Sequence, residues 1–417
     1  MSRPERPTDP SAQDASASRL PLTDNPLFLA GQQDFIDALA ITDTMPNYYL
    51  LEAQTKIALE QVRAGLQPSF TPTFLLNEMT GKPNVQKTAY GVKVAEIQAR
   101  MGDLEGSSKT MPLASSVIDI DARIGIIRGY ASHGVDVRTF FEELYTQSSL
   151  LPRNVPTSIE TISDAERELT GSTSARKRVD AFMDTVPEQS RPRYLPELAV
   201  TYARLGHPVD ALEAWEGARH ESNWKRAEDF SYIVLSRAAT GKEPSELIVR
   251  AGELAEAIEN VGDFSYEYLR VEIYGRLAQA QALAGGNPQS LIDRALEHTN
   301  SSPQNYDHIV ASSLMEVARA QKTAGLDAQP TFEKALQLAE SSVESAEALK
   351  PEDVVSLGMA WEDIFNTQVE LGYFEEARKV ADKLDQLTPQ NPDFLIDKAT
   401  WLAILGSARM KAAKALN

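Results

Sequence analysis

The chain has 417 residues, more than the roughly 250–300 that a single hydrophobic core serves, so it must divide into domains or grow as a stack of repeats. Its net charge of −19 opposes a protein that works by neutralising phosphates, which excludes nucleic-acid or anionic-lipid binding as its main task and favours basic or neutral partners. With no cysteine there is no disulfide, thiolate metal ligand or cysteine nucleophile.

Residues 1–25 are rich in Pro, Ser, Arg and Asp without an apolar segment; they are expected to form a disordered tail, neither a secretory signal nor a membrane anchor. No apolar run approaches the ~20 residues of a membrane helix, and the expectation is a cytoplasmic protein. From Asn25 the pattern turns helical. Pro26 sits near a start, and Phe28, Leu29, Phe35, Ile36, Leu39 and Ile41 supply an apolar stripe. Residues 48–64 form a longer amphipathic helix that Gly65 ends as a left-handed cap.

Glycines then recur where the turn inside a helical hairpin belongs. Gly65, Gly102, Gly134, Gly171, Gly206, Gly241, Gly285, Gly325, Gly372 and Gly406 follow one another at intervals of 32 to 47 residues. Residues 277–301 and 317–341 align without a gap at a shift of 40, sharing Ala278/Ala318, Gln281/Gln321, Gly285/Gly325 and Leu296/Leu336 among others. Gly241 to Ala251 repeats the pattern of Gly285 to Ala295. Between the hairpins, proline clusters such as residues 151–156 mark loops. The nearest approach to a strand, residues 115–120, is short, so the chain reads as all-α.

Two stretches carry the pattern most fully. Leu195, Leu198, Ala199, Tyr202, Gly206, Ala211, Trp215 and Ala218 form one; Trp361, Ile364, Phe365, Gln368, Gly372, Ala377, Ala381, Leu384 and Pro389 repeat its spacing. Small residues let helix backbones approach and aromatic ones fill the space beside them. These residues resemble the tetratricopeptide repeat family. The resemblance is specific in those two stretches, recognisable around Gly241, Gly285 and Gly325, and weak before residue 190. It implies a right-handed superhelix whose first helices line a concave groove for a peptide or partner protein. Carried onto this chain, the groove positions are Arg193 and Val200, Glu272 and Gln279, Arg319 and Lys322, and Glu362 and Asn366. The family's clamp for a C-terminal carboxylate needs a Lys–Asn set. Asn366 is preceded by Glu362 where Lys is required, and Pro196 and Val200 stand at the earlier positions, so that role is not expected.

Signals for chemistry are sparse. His133, His207, His220, His298 and His308 form no ligand-spaced pair, and His133 and His207 read as solvated turn residues. Residues 106–110 (GSSKT) echo a phosphate loop but lack the glycine before Lys109, and read as a polar inter-helix loop. Asp119 and Asp121 read as the N-cap region of a helix over residues 122–130. Glu142–Glu143, Glu375–Glu376 and residues 340–347 read as solvated faces. Tyr130, Phe140, Phe141 and Tyr145 read as helix-pair packing.

The expected architecture is therefore a right-handed α-solenoid of nine or ten irregular tetratricopeptide-like helix pairs. Residues 26–188 form a degenerate region, residues 189–417 the clear repeats, and residues 397–416 a helix capping the last one. The expected function is a non-enzymatic scaffold that binds a protein or peptide in the groove, with no cofactor, metal, nucleic acid or membrane insertion. The alternative is an enzyme or regulatory subunit with a small-molecule pocket between the N-terminal helices and the solenoid, marked by Asp119, Asp121, Arg123 or His133.

Overall fold

A computed structural model describes residues 21–80, 82, 84–111, 120–148, 155–171, 174–220, 222–260, 266–302, 306–344, 351–386, 391 and 393–416. Most of the expected tail, most of residues 115–120, residues 151–154, the end of the 340–347 acidic run, Asp119 and Pro389 lie outside them. The described residues form twenty α-helices and no strand. Helix α1 (Pro26–Thr42) precedes nine hairpins. These are α2 (Asn47–Arg63) with α3 (Pro72–Glu78), α4 (Asn84–Arg100) with α5 (Leu104–Thr110), and α6 (Ile120–Ser132) with α7 (Arg138–Ser148). Then come α8 (Val155–Thr170) with α9 (Ala175–Thr185), α10 (Arg191–Arg204) with α11 (Pro208–Gly217), and α12 (Asn223–Ala239) with α13 (Ser245–Glu256). The last three are α14 (Glu267–Leu283) with α15 (Gln289–Ser301), α16 (Asp307–Thr323) with α17 (Gln329–Glu344), and α18 (Pro351–Leu371) with α19 (Phe374–Lys383); α20 (Phe394–Leu416) follows.

Capping chemistry explains the segmentation. Asn25, Thr71, Asp103 and Ser222 accept amide hydrogens in the first turns of α1, α3, α5 and α12. Nine of the ten turn glycines sit at φ between 71° and 86°, the left-handed region that a side chain disfavours. Where it is described, the residue after them bonds back to the helix, as Leu66 does to Gln61 (2.9 Å) and Tyr373 to Gln368 (2.8 Å), satisfying carbonyls the helix end leaves open. Gly406 is the exception. It lies inside α20 and makes no turn.

Each first helix lies against the first helix of the next hairpin, while second helices rest mainly on first helices. The first helices form the tight, inner layer and the second helices the splayed, outer one. The expected terminal cap is not the end of this stack. Helix α20 packs chiefly on α1 and also lies against α2, α18 and α19. Trp401 stacks on Phe365 of α18 (4.9 Å, 14°). Toward α1, Gly406 and Gly31 approach so closely that a Cβ on either would fall 2.8 Å from the other's carbonyl oxygen. Asp34 of α1 meets Arg378 (2.9 Å) and Arg409 (3.4 Å), and the Lys414 ammonium donates to the Ala64 carbonyl at the end of α2 (2.6 Å). Helix α1 thus stands to α20 as a second helix stands to its first. The tenth pair is assembled from both ends of the chain, and the inner layer closes into a ring from α2 round to α20 and back to α2. The α1 stripe is correspondingly narrower than its sequence suggests: Phe28 and Phe35 are buried, whereas Leu29 and Ile36 are half exposed.

The apolar interior falls into several clusters, and two of them include residues from both sides of residue 188. Leu198 and Leu205 of α10 share a core with Ile159, Ile162 and Val179, and Phe28, Phe35 and Ile57 share one with the C-terminal hairpins. Tyr130 meets Phe140 edge-on at 5.2 Å, and Phe141 and Tyr145 are fully buried, so these aromatics are packing residues.

Candidate partner-binding face

Alternation on the first helices decides what the inner layer shows. Positions that pack between hairpins are apolar or small; those between them point away from the core. Among the eight groove positions, the structure brings together Glu272 of α14, Arg319 of α16 and Asn366 of α18. They line one open depression of about 490 Å³ with Tyr268, Ser312, Asp363 and Thr367. Arg319 is held by Glu316 (3.2 Å), Glu370 (2.9 Å) and Thr367 (3.1 Å), and these carboxylates, together with Asp363, hold its guanidinium above its ordinary range against the desolvation of burial. Glu272 is paired with Arg276, whose guanidinium lies 3.9 Å from the centre of the Tyr232 ring and bonds its hydroxyl at 2.7 Å.

The other groove positions disperse. Arg193 lines a separate depression with Pro196, Glu197, Arg219, His220 and Lys225. Lys322 lies over the Tyr373 ring at 5.0 Å, near the hairpin turn. Glu362 acts on Asp397, which burial, with Glu362 and Glu52 nearby, pushes up to about 6 against the pull of Lys56. Val200 and Gln279 are half-buried. Arg276, Tyr232 and Asp363 were not singled out from sequence. Only the strict four-residue spacing of Glu272 and Arg276 could have shown the first of them.

A second basin lies where the N-terminal hairpins meet α20. Arg63, Arg100, Asp121, Arg128, Glu168 and Lys411 line about 580 Å³ there, on five successive inner helices. Three of the cations are paired: Arg63 and Arg100 share the fully buried Glu96 (3.0 and 2.8 Å), Arg63 also meets Glu60 (2.7 Å), and Arg128 meets Glu168 (2.6 Å). Burial, reinforced by the three arginines, pulls the Lys411 ammonium below its ordinary range. The four marker residues of the pocket alternative do not converge. Asp121 is in this basin, Arg123 lines a small apolar gap beside Phe140 and Leu144, and His133 binds the Gly129 carbonyl at 3.0 Å beside Gly102; Asp119 is outside the described residues.

The remaining signals resolve as structure. The GSSKT segment is not a loop but most of α5, with Asp103 accepting from the Gly106 amide (2.9 Å) and Lys109 paired with Glu105 (2.5 Å). His298 is buried, bonded to Glu267 (2.7 Å) and stacked on Tyr274. Among the described residues no group of three His, Asp or Glu side chains could hold a metal ion, and no helix is long and apolar enough to cross a membrane. No protein family, curated protein or solved structure matches the chain.

Proposed function

We propose that this chain is a non-enzymatic scaffold of the cytoplasm. Its tetratricopeptide-like pairs, wound in the right-handed sense, hold a segment of a partner protein against the inner layer. One observation carries the reading: Glu272, Arg319 and Asn366 come from three successive inner helices to a single depression with Tyr268, Asp363 and Thr367. Such a row alternates hydrogen-bond donors and acceptors at the helix-to-helix spacing of roughly 8–10 Å, which suits an extended peptide with polar groups along its length. Around it Glu272, Glu316, Asp363 and Glu370 outnumber Arg276 and Arg319, so the segment is neutral or basic.

The test is affinity capture from the native host with the wild-type chain and with Asp363→Lys/Asn366→Ala. A partner retained by the first and lost by the second supports the reading. Retention of nothing above background, with turnover of a metabolite panel by the purified protein, would overturn it. The second reading, a small-molecule pocket between the N-terminal hairpins and the rest, is favoured by the cation-lined basin around Lys411. Its mark is a metabolite that stabilises the wild type but not Lys411→Ala.

A further inference from the structure

Helix α10 carries a proline in its interior, Pro196, and such a proline leaves the carbonyl four residues earlier without its amide. The orphaned carbonyl is that of Pro192, and it accepts from the amide of Arg219 at 3.2 Å. This bond ties the segment after α11 to the first turn of α10 and sets Arg219 beside Arg193. The two arginines, with Pro196, Glu197, His220 and Lys225, line a depression of about 530 Å³. Trp215 anchors the chain beside it. The Trp215 carbonyl binds the His220 imidazole (3.1 Å), and the Trp215 indole donates to the carbonyl of Arg226 (3.1 Å).

The charges there are unequal in kind. The Lys225 ammonium is shared between Glu228 (3.0 Å) and the buried Asp229 (2.9 Å). Elsewhere on the inner layer Arg63, Arg100, Arg276 and Arg319 each have a carboxylate partner. Among the described residues neither Arg193 nor Arg219 has one, and Glu197 is the one carboxylate that lines the depression with them. Two guanidinium forks without a carboxylate partner among the described residues, Arg193 on α10 and Arg219 on the segment after α11, present in a chain of net charge −19 a planar, bidentate donor set that a tetrahedral dianion satisfies and a monoanion half satisfies. We propose that this depression binds a phosphate monoester between Arg193 and Arg219. The inference goes beyond partner binding on the inner layer and does not depend on it.

Calorimetric titration of the full chain at constant ionic strength tests it, with inorganic phosphate, a phosphoserine peptide and acetate as probes. The expected result is saturable one-site binding of phosphate, weakened about ten-fold or more by Arg193→Ala or Arg219→Ala and unchanged by Lys242→Ala. Arg193→Lys/Arg219→Lys keeps the charge but not the fork; it serves if an alanine variant loses its helical spectrum, and is expected to weaken binding likewise. A peptide that binds at least ten-fold tighter than inorganic phosphate places the ester on a partner protein, and equal affinity places it on a small molecule. Absence of saturable binding, acetate binding as tightly as phosphate, or full affinity in the arginine variants would overturn the assignment.

Discussion

One close backbone crossing joins α1 to α20, which makes Gly406→Ala the most informative substitution. A helix-interior glycine replaced by alanine ordinarily gains about 1 kcal/mol. At Gly406 the new methyl would lie 2.8 Å from the Gly31 carbonyl oxygen and 3.1 Å from the Phe35 ring. The oxygen belongs to a helix backbone and cannot swing aside, so α1 and α20 must separate by some tenths of an ångström, and such overpacking costs about 1–3 kcal/mol. The net expectation runs from about neutral to about 2 kcal/mol destabilising. Gly252 of α13 supplies the control, because a methyl there meets only Tyr274 atoms at 3.8–3.9 Å; Gly252→Ala should gain about 1 kcal/mol. Urea unfolding compares the two, and amide exchange over residues 26–42 should quicken in Gly406→Ala alone. In Gly31→Ala/Gly406→Ala the second methyl enters a gap the first has opened, so the double variant should lose less than the sum of the singles. Were Gly406→Ala to stabilise as much as Gly252→Ala, with exchange in α1 unchanged, the reasoning about closure would be refuted.

Other consequences follow from buried polar groups. Asp397 has its folded pKa raised from 3.8 to about 6, chiefly by burial; its charge therefore penalises the fold above that pH, and the penalty fades as pH falls through 6 toward 4. Thermal midpoints at pH 7.5, 6.5 and 5.5 should show Asp397→Asn stabilised at the highest pH and less dependent on pH than the wild type; identical slopes would count against this. The Gln368 side chain is fully buried with neither amide atom hydrogen-bonded. Gln368→Met should raise stability by about 1–2 kcal/mol in urea titration, and a loss would reveal a bonding partner at that amide. Glu96 holds Arg63 and Arg100 from a fully buried position, so Glu96→Ala should cost about 3–5 kcal/mol by the same measurement.

The hairpins were legible because each is written locally. A glycine that must turn left-handed, a cap a few residues away and an apolar stripe of helical period all fall within one repeat. Gly406 shared the spacing of the turn glycines and none of their surroundings. The residues after it, Ser407 to Met410, continue a helical pattern, and the missing Cβ serves a crossing helix. Closure was illegible for the same reason that the turns were plain. Gly31 and Gly406 are separated by most of the chain, and no local period links them. Among the groove positions, the family resemblance pointed to Glu272, Arg319 and Asn366 but could not say that Arg319 would be tied to Glu370 of the next hairpin. Pro196 was visible as a departure from the family's carboxylate clamp; that the Pro192 carbonyl it frees would recruit Arg219 depended on where α11 ended.

A pair shared between the two ends also sets an order in time. Translation proceeds at about 5–20 residues per second, and the 352 residues from Thr42 to Phe394 take roughly 20–70 s to make. Throughout that interval Phe28 and Phe35 have no α20 to cover them. Helix α1 is thus made long before the helix that buries it, and whatever shields it meanwhile must yield once α20 is complete.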